Sequence, residues 1–178
     1  SDVYKRQALC DTSNLCGALE FAEKISRVGT QPIIGTQINF KLDDTIGLLP
    51  LFALNEIGYK RIIELSSLSH LNNDGTYDPH LNFEELLKNN EGVAIFSGTI
   101  NGLVGQLFNK GKFSEIEKLY SKLKQKYGDK FYIEIQRHGD QNEISFEKFN
   151  LSQSLNLEIS IIATNEVFYS NKDMYVFV

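Results

Sequence analysis

Six stretches of this 178-residue chain carry the side chains best placed to do chemistry: Asp11 and Thr12, Gln37, Asn55, Ser97 to Thr99, Gln136 to His138, and Asn165 to Glu166. Each follows an apolar or alternating run that reads as a strand, and in α/β folds ligands and reacting groups gather at the carboxyl ends of strands. Carboxylates and imidazoles collected there could hold divalent metal ions. Such ions pull a bound water toward hydroxide and clamp the oxygens of a phosphodiester. The chain has only three histidines, His70, His80 and His138, so a His-rich multinuclear site cannot be assembled from this segment alone. Its two cysteines, Cys10 and Cys16, are too few and wrongly spaced for a disulfide framework or a zinc knuckle. They read as small buried hydrophobes in a reduced, cytoplasmic setting.

Each of these residues also has a plainer reading. Asp11, Thr12 or Ser13 stands before an apolar-periodic helix and so can serve as its N-cap. Glu166 can be a solvated loop carboxylate, and His138, after Arg137 at a strand end, a structural hydrogen-bond partner. The run Lys118 to Lys126 holds four lysines, but helical spacing puts them on a solvated face beside Glu115 and Glu117. That is a poor phosphate track.

The elements that must position these residues alternate between two periods. Strands are expected at Ala8–Cys10, Pro32–Phe40, Leu49–Leu54, Gly92–Ser97, Phe131–Gln136 and Ile159–Ala163. A helix over Asn14–Val28 would bury Leu15, Leu19, Ala22 and Ile25 and stop at Gly29. Glu56–Leu68 would bury Ile57, Ile62, Leu65 and Leu68 in the same way. Asn82 with Glu85, and Ser114 with Glu117, have capping-box spacing ahead of helices at Phe83–Lys88 and Glu115–Lys126. A further helix, Glu143–Leu155, would bury Ile144, Phe149 and Leu151. Leu71–His80, rich in Asn, Asp, Gly and Pro, reads as a long loop within one domain. Strand–helix alternation implies parallel strands with helices outside, and strands apolar on both faces suit a buried sheet or barrel. The expected fold is an incomplete α/β barrel.

Composition agrees with a folded domain. Hydrophobic residues make up 42 % and charged residues 23 %, and a chain this long buries roughly 70 % of its unfolded surface without a metal or disulfide staple. The net charge of -5 argues against this segment gripping a nucleic-acid backbone by itself. No apolar run approaches the roughly 20 residues of a membrane-spanning helix, and SDVYKRQ lacks the apolar stretch of a signal peptide.

Taken in order, ALCDTSNLCGALEF, QPIIGTQINF, LFALNEIGYKRIIELSSLSHL, EGVAIFSGTINGLVGQL, FYIEIQRHG and IIATNEVFYS resemble one family. It is the amino-terminal PHP (polymerase and histidinol phosphatase) domain of the bacterial replicative DNA polymerase, the polymerase III alpha subunit. The likeness runs from about Ala8 to Tyr169. It implies a distorted seven-stranded β/α barrel, and it implies a fragment. The family's first strand, with its His-x-His pair, should precede Ala8, so residues 1–7 are expected to be a non-native leader and 8–178 a PHP domain lacking that strand. The polymerase palm, fingers and thumb would follow Val178.

The resemblance also implies which positions would ligate metal. The family's Asp-His after the second strand is here Asp11-Thr12. The glutamate of its Gly-Cys-Glu falls on Gln37, the cysteine of Ser-Gly-Cys on Thr99, and the Asp-x-His after Ala-Thr-Asn on Glu166-Val167-Phe168. His138 matches a histidine frequent in the family, and His70 lies near another ligand position. With so many ligands replaced, the coordination a metal demands is not met, and the site is expected to be vestigial. No cofactor is therefore expected for this segment, with Mg²⁺ reserved for the parent polymerase and its catalytic carboxylates in the missing palm. Where PHP ligands are eroded, the family leaves proofreading to a separate 3′–5′ exonuclease subunit docked on this domain. The expected partners are that subunit, other holoenzyme subunits, and DNA through the missing domains, with no membrane. The alternative is a free-standing PHP-family metal-dependent phosphoesterase, which would need the ligands this chain lacks.

Overall fold

The computed structural model describes residues 6–71, 75–139 and 142–165. Strands β1 (Arg6–Thr12), β2 (Gln31–Leu42), β3 (Thr45–Ala53), β4 (His80–Asn82), β5 (Val93–Phe96), β6 (Phe131–Ile135) and β7 (Ser160–Ala163) form one sheet. Its order is β1-β2-β3-β5-β6-β7, with β4 paired to β2 off that path. The helices are α1 (Ala18–Arg27), α2 (Glu56–Leu71), α3 (Glu84–Lys88), α4 (Leu103–Asn109), α5 (Phe113–Tyr127) and α6 (Glu143–Leu157). Among the described residues β1 and β7 are the ends of the sheet and do not pair, so this is a mixed α/β fold with an incomplete barrel.

All six expected strands form, but not all run parallel. β3 is antiparallel to both β2 and β5. Leu42 pairs with Thr45, so Asp43 and Asp44 alone turn the chain, with Asp43 in the left-handed region at φ 52°. A turn this short can only return antiparallel, because a parallel return needs a crossover of about a dozen residues or more. Two elements escaped the sequence reading. β4 lies at the end of the expected loop and pairs Leu81 with Phe40. α4 buries Leu103, Val104 and Leu107 around Gly105, where a Cβ would lie 1.9 Å from the Ile100 carbonyl oxygen. Gly105 within it and Gly102 at its N-cap hid its helical period.

The core lies between the sheet and the helices. Ile38 and Phe40 of β2, Leu49 and Leu51 of β3, Ile95 of β5, and Phe131 and Ile133 of β6 are fully buried there. They meet Ile62 and Leu65 of α2, Leu103 and Leu107 of α4, and Ile116, Leu119 and Leu123 of α5. Several expected helix faces are corrected. Leu19 of α1 and Ile57 of α2 are exposed, as are Ile144 and Leu151 of α6. α6 instead buries Phe146, Asn150 and Gln153, because Asn150 accepts a 2.8 Å hydrogen bond from the buried Tyr120 hydroxyl and Gln153 donates to Glu117. Neither capping box forms: α3 and α5 begin after Phe83 and Lys112, without a side-chain cap bond. α1 ends as expected, with Gly29 at φ 80° and its amide bonded to Ser26.

Candidate functional site

Alternation along each strand assigns its side chains to one of two faces. On β6, Phe131 and Ile133 face the helices, so Tyr132 and Glu134 face the other way, into the concavity of the incomplete barrel. Register carries that inner face across the sheet: Gln37 pairs with Pro50, Gly35 with Phe52, Phe52 with Ala94, Phe96 with Tyr132, and Glu134 with Ile162. An aromatic ladder runs along its middle. The rings of Phe52 and Phe96 are 4.5 Å apart, and those of Phe96 and Tyr132 are 5.6 Å apart, edge to face.

At the β6–β7 end of this face lies a polar cluster. Glu134 is buried, with 5 % of its surface exposed. Its Oε1 accepts hydrogen bonds from the Thr164 hydroxyl and from Gln136 Nε2, the latter at 3.1 Å. Gln136 Nε2 also reaches Thr164 Oγ1 at 2.9 Å, and Gln136 Oε1 accepts from His138 Nε2 at 2.9 Å. An amide oxygen only accepts, so the His138 proton sits on Nε2. The Glu134 amide donates to Ser97 Oγ at 2.9 Å, which ties the end of β5 to the same cluster.

The predicted site residues divide. Thr12 and Gln37 are register partners on the inner face. Asp11 points the other way: a Cβ on Gly17 would lie 3.0 Å from its Oδ2, so the carboxylate rests against the start of α1, apart from Gln37. It does not cap that helix, whose N-cap is Gly17 and which has no side-chain cap bond. Asn14 organises the intervening loop instead, accepting from the Cys16 amide and donating to the Thr12 carbonyl. Cys16 is exposed and Cys10 half-buried, so neither is a core hydrophobe.

Thr99 follows β5 and forms the turn into α4, where its Oγ1 accepts from the Asn101 amide and its carbonyl from the Gly102 amide. His70, at the end of α2, places Nε2 3.0 Å from the Ser13 carbonyl oxygen, so α2 is tied to the loop after β1. His138 is exposed, and its backbone amide and that of Gly139 both donate to Glu143 at 2.9 Å. Asn55 belongs to the opposite end of the sheet, because β3 runs backwards, and there its Oδ1 accepts from the Gly58 amide at the start of α2. Glu166 and Phe168 lie outside the described residues.

The sequence reading missed Glu134 and Thr164. The signal was present in FYIEI, where a carboxylate interrupts an otherwise apolar strand at a position alternate to Phe131 and Ile133.

The charges at the rim are paired. Arg137 grips Glu147 with two hydrogen bonds, at 3.0 and 2.6 Å. That contact holds the Glu147 carboxyl below its ordinary range and raises the guanidinium. In the lysine-rich stretch, Lys122 pairs with Glu84 and Lys124 with Asp129, as expected of a solvated face.

A metal cluster of the kind the resemblance implies needs several anionic or imidazole donors converging. Among the described residues no group of three or more His, Cys, Asp and Glu side chains is placed to hold a metal ion. Thr12, Gln37 and Thr99 offer neutral oxygens only, and the buried Glu134 carboxylate already accepts from Thr164 and Gln136. These residues do not fit a multinuclear metal centre. Among the described residues no helix is long and apolar enough to cross a membrane.

Comparison with known proteins gives this geometry a family. The DNA polymerase III subunit alpha of Rickettsia bellii is 34 % identical over 175 residues, covering 97 % of this chain and 15 % of its own length. That of Rickettsia felis is 36 % identical over 174 residues, covering 96 % and 14 %. The Caulobacter vibrioides subunit is 31 % identical over 180 residues, covering 94 % and 15 %. The chain thus spans about 15 % of the length of these relatives. A solved structure from Bifidobacterium adolescentis, provisionally assigned as a metal-dependent phosphoesterase, shares 12 % identity and a TM-score of 0.40 over 88 % of this chain and 74 % of its own, too loose a likeness to carry weight. The family pattern described as the PHP domain matches residues 2–138, and the chain belongs to that family.

Proposed function

We propose that this chain is the PHP domain of a bacterial replicative DNA polymerase, the polymerase III alpha subunit, and that it acts there as a scaffold. The observation that carries this reading is the match of 97 % of the chain to a DNA polymerase III alpha subunit at 34 % identity, repeated at similar coverage in other bacteria. The parent enzyme extends a primer with deoxynucleotides in the cytoplasm, using Mg²⁺ and carboxylates that lie outside these residues. The PHP metal site is degenerate, since the inner face offers Thr12 and Gln37 where anionic ligands would be needed. A barrel without that metal cluster does not proofread. Its surface serves as the docking site for a separate 3′–5′ exonuclease subunit and for other subunits of the holoenzyme.

Two experiments test this. Sequencing the flanking DNA should reveal a long continuation with a palm carboxylate motif, and the full-length product should extend a primer. A stop codon just beyond Val178 would sink the polymerase reading. A co-purification with the exonuclease subunit of the same organism tests the docking role, which fails if the two separate on gel filtration at micromolar concentration. Manganese-dependent phosphomonoester hydrolysis by the chain would instead support a free-standing phosphoesterase.

A further inference from the structure

The inner face carries a hydrogen-bonded polar cluster at the carboxyl ends of β6 and β7. We infer that a hydrogen-bonded side-chain lock, built from Glu134, Gln136 and Thr164, fastens the carboxyl ends of β6 and β7 in place of a divalent cation. The inference rests on membership of the PHP family and not on the polymerase parentage.

Consider what holds β7. It is the last strand of the sheet, and its only strand neighbour among the described residues is β6. Three of its four residues are exposed, so burial contributes little to keeping it in place. The backbone ladder ends with the Thr164 amide donating to the Ile135 carbonyl at 3.1 Å. Directly beside that bond, the Thr164 hydroxyl donates to Glu134 and Gln136 Nε2 bridges both side chains. A carboxylate accepting from neutral donors makes charge-assisted hydrogen bonds, stronger than neutral ones. At 5 % exposure Glu134 would be left with an unsatisfied buried oxygen if these donors were lost, at the desolvation cost of that group. The Ser97 hydroxyl accepting from the Glu134 amide extends the same fastening to β5.

A metal would make the same connection by another means, drawing ligands from adjacent strand ends onto one ion. The lock and the ion compete for one oxygen: Oε1 of Glu134, which accepts from Thr164 and Gln136, could enter a cation's first coordination sphere only by giving up those donors. The aromatic ladder of Phe52, Phe96 and Tyr132 lines the adjoining part of the face with ring surface, which offers a hydrated cation no anionic ligand.

Amide hydrogen exchange in β7, measured on the full-length protein, tests this locally whatever the rest of the molecule binds. Exchange over Ser160–Ala163 is expected to be the same in excess EDTA and in excess Mn²⁺. Thr164→Val, which keeps the shape and removes the hydroxyl, should speed exchange there on the order of tenfold, while Thr164→Ser should restore most of the protection. Mn²⁺ that slows exchange in β7, with the effect abolished by Glu134→Gln, would overturn the inference in favour of a metal. Unchanged exchange in Thr164→Val would also overturn it. Neither result would bear on primer extension, so the lock and the polymerase reading fail separately.

Discussion

The two faces of one sheet are built by different rules. On the helix side, seven side chains of β2, β3, β5 and β6 (Ile38, Phe40, Leu49, Leu51, Ile95, Phe131 and Ile133) are wholly excluded from water. On the inner side the same strands present Gln37, Pro50, Phe52, Phe96, Tyr132 and Glu134, of which Gln37, Phe52 and Tyr132 are only half-buried. Strand alternation makes this division possible, because neighbouring residues on one strand answer to separate environments. The helix side is where burying apolar area stabilises the fold, at about 25 cal/mol per Å². The inner side is where polar groups can be placed at a strand end without breaking that core. A family whose chemistry sits at strand ends can lose or exchange its ligands and keep its fold for this reason.

Truncating adjacent residues of β3 gives the largest effect and the most direct attack on this contrast. Leu51→Ala empties a wholly buried position and should cost about 2–5 kcal/mol. Phe52→Ala removes a larger side chain from the half-buried inner face and should cost less, about 1–2 kcal/mol, because the site is already in part wet and can relax. Urea unfolding followed by circular dichroism measures both. Equal costs would mean that the inner face is packed as tightly as the core, and the contrast would fail.

The same division explains what could be read from the sequence. All six expected strands are present, because apolar runs such as PIIGTQINF and GVAIF report burial directly. β4 was missed, since three residues that follow directly on a stretch of Asn, Asp, Gly and Pro are too few to show a period; their strand character comes from the neighbour, β2. α4 was missed because Gly105, a poor helix former, is required where the helix crosses the Ile100 carbonyl. The face of α6 was misjudged for a related reason: Asn150 faces inward to meet Tyr120, and hydropathy cannot anticipate a polar side chain chosen for its buried partner. The family resemblance groups Asp11, Gln37 and His138, and only strand register sets Gln37 on the inner face while turning Asp11 toward α1. Asn55 was misplaced because a rule about carboxyl ends presumes parallel strands, and the direction of β3 depends on a turn of two residues. Glu134 was legible as a charge in an apolar strand, yet its role depends on Thr164, thirty residues on, which no local pattern connects to it.

Of intermediate size is the response of the helix side to alkali. Burial pushes the phenols of Tyr120 and Tyr127 well above the ordinary tyrosine range, with opposing but smaller contributions from the Ser97 hydrogen bond and the Arg61 charge. A group whose folded pKa is raised holds its proton more tightly in the native state. Its contribution is therefore complete below the unfolded value of about 10 and is lost as pH rises above it. Each tyrosine should add a slope of up to about 1.4 kcal/mol per pH unit there. Tyr127→Phe should flatten the fall in stability measured by urea titration between pH 10 and pH 11 (roughly the window above the free phenol). An alkaline fall that stays as steep in Tyr127→Phe as in the wild type would show that this buried phenol is not what makes the helix side sensitive to alkali.

The smallest effect belongs to the rim, where Arg137 and Glu147 pair in water beside the inner face. The Arg137 hydrogen bond holds the Glu147 carboxyl below its ordinary value, with burial opposing and the guanidinium charge assisting. A depressed carboxylate contributes stability that is present above its unfolded value near 4.5 and is lost as pH falls through the lower folded value. Solvent screening keeps that contribution small, since the Arg137 side chain is largely exposed while Glu147 is half-buried. Arg137→Ala should thus change the urea midpoint at neutral pH only slightly. The difference should disappear at about 1 M salt, where the screening length falls to roughly 3 Å. The pair still joins the loop after β6 to the second turn of α6, close to the Glu134 lock. A destabilisation that survives high salt would show that Arg137 positions this loop by packing rather than charge, and would move the rim from the solvent-facing group to the inner face.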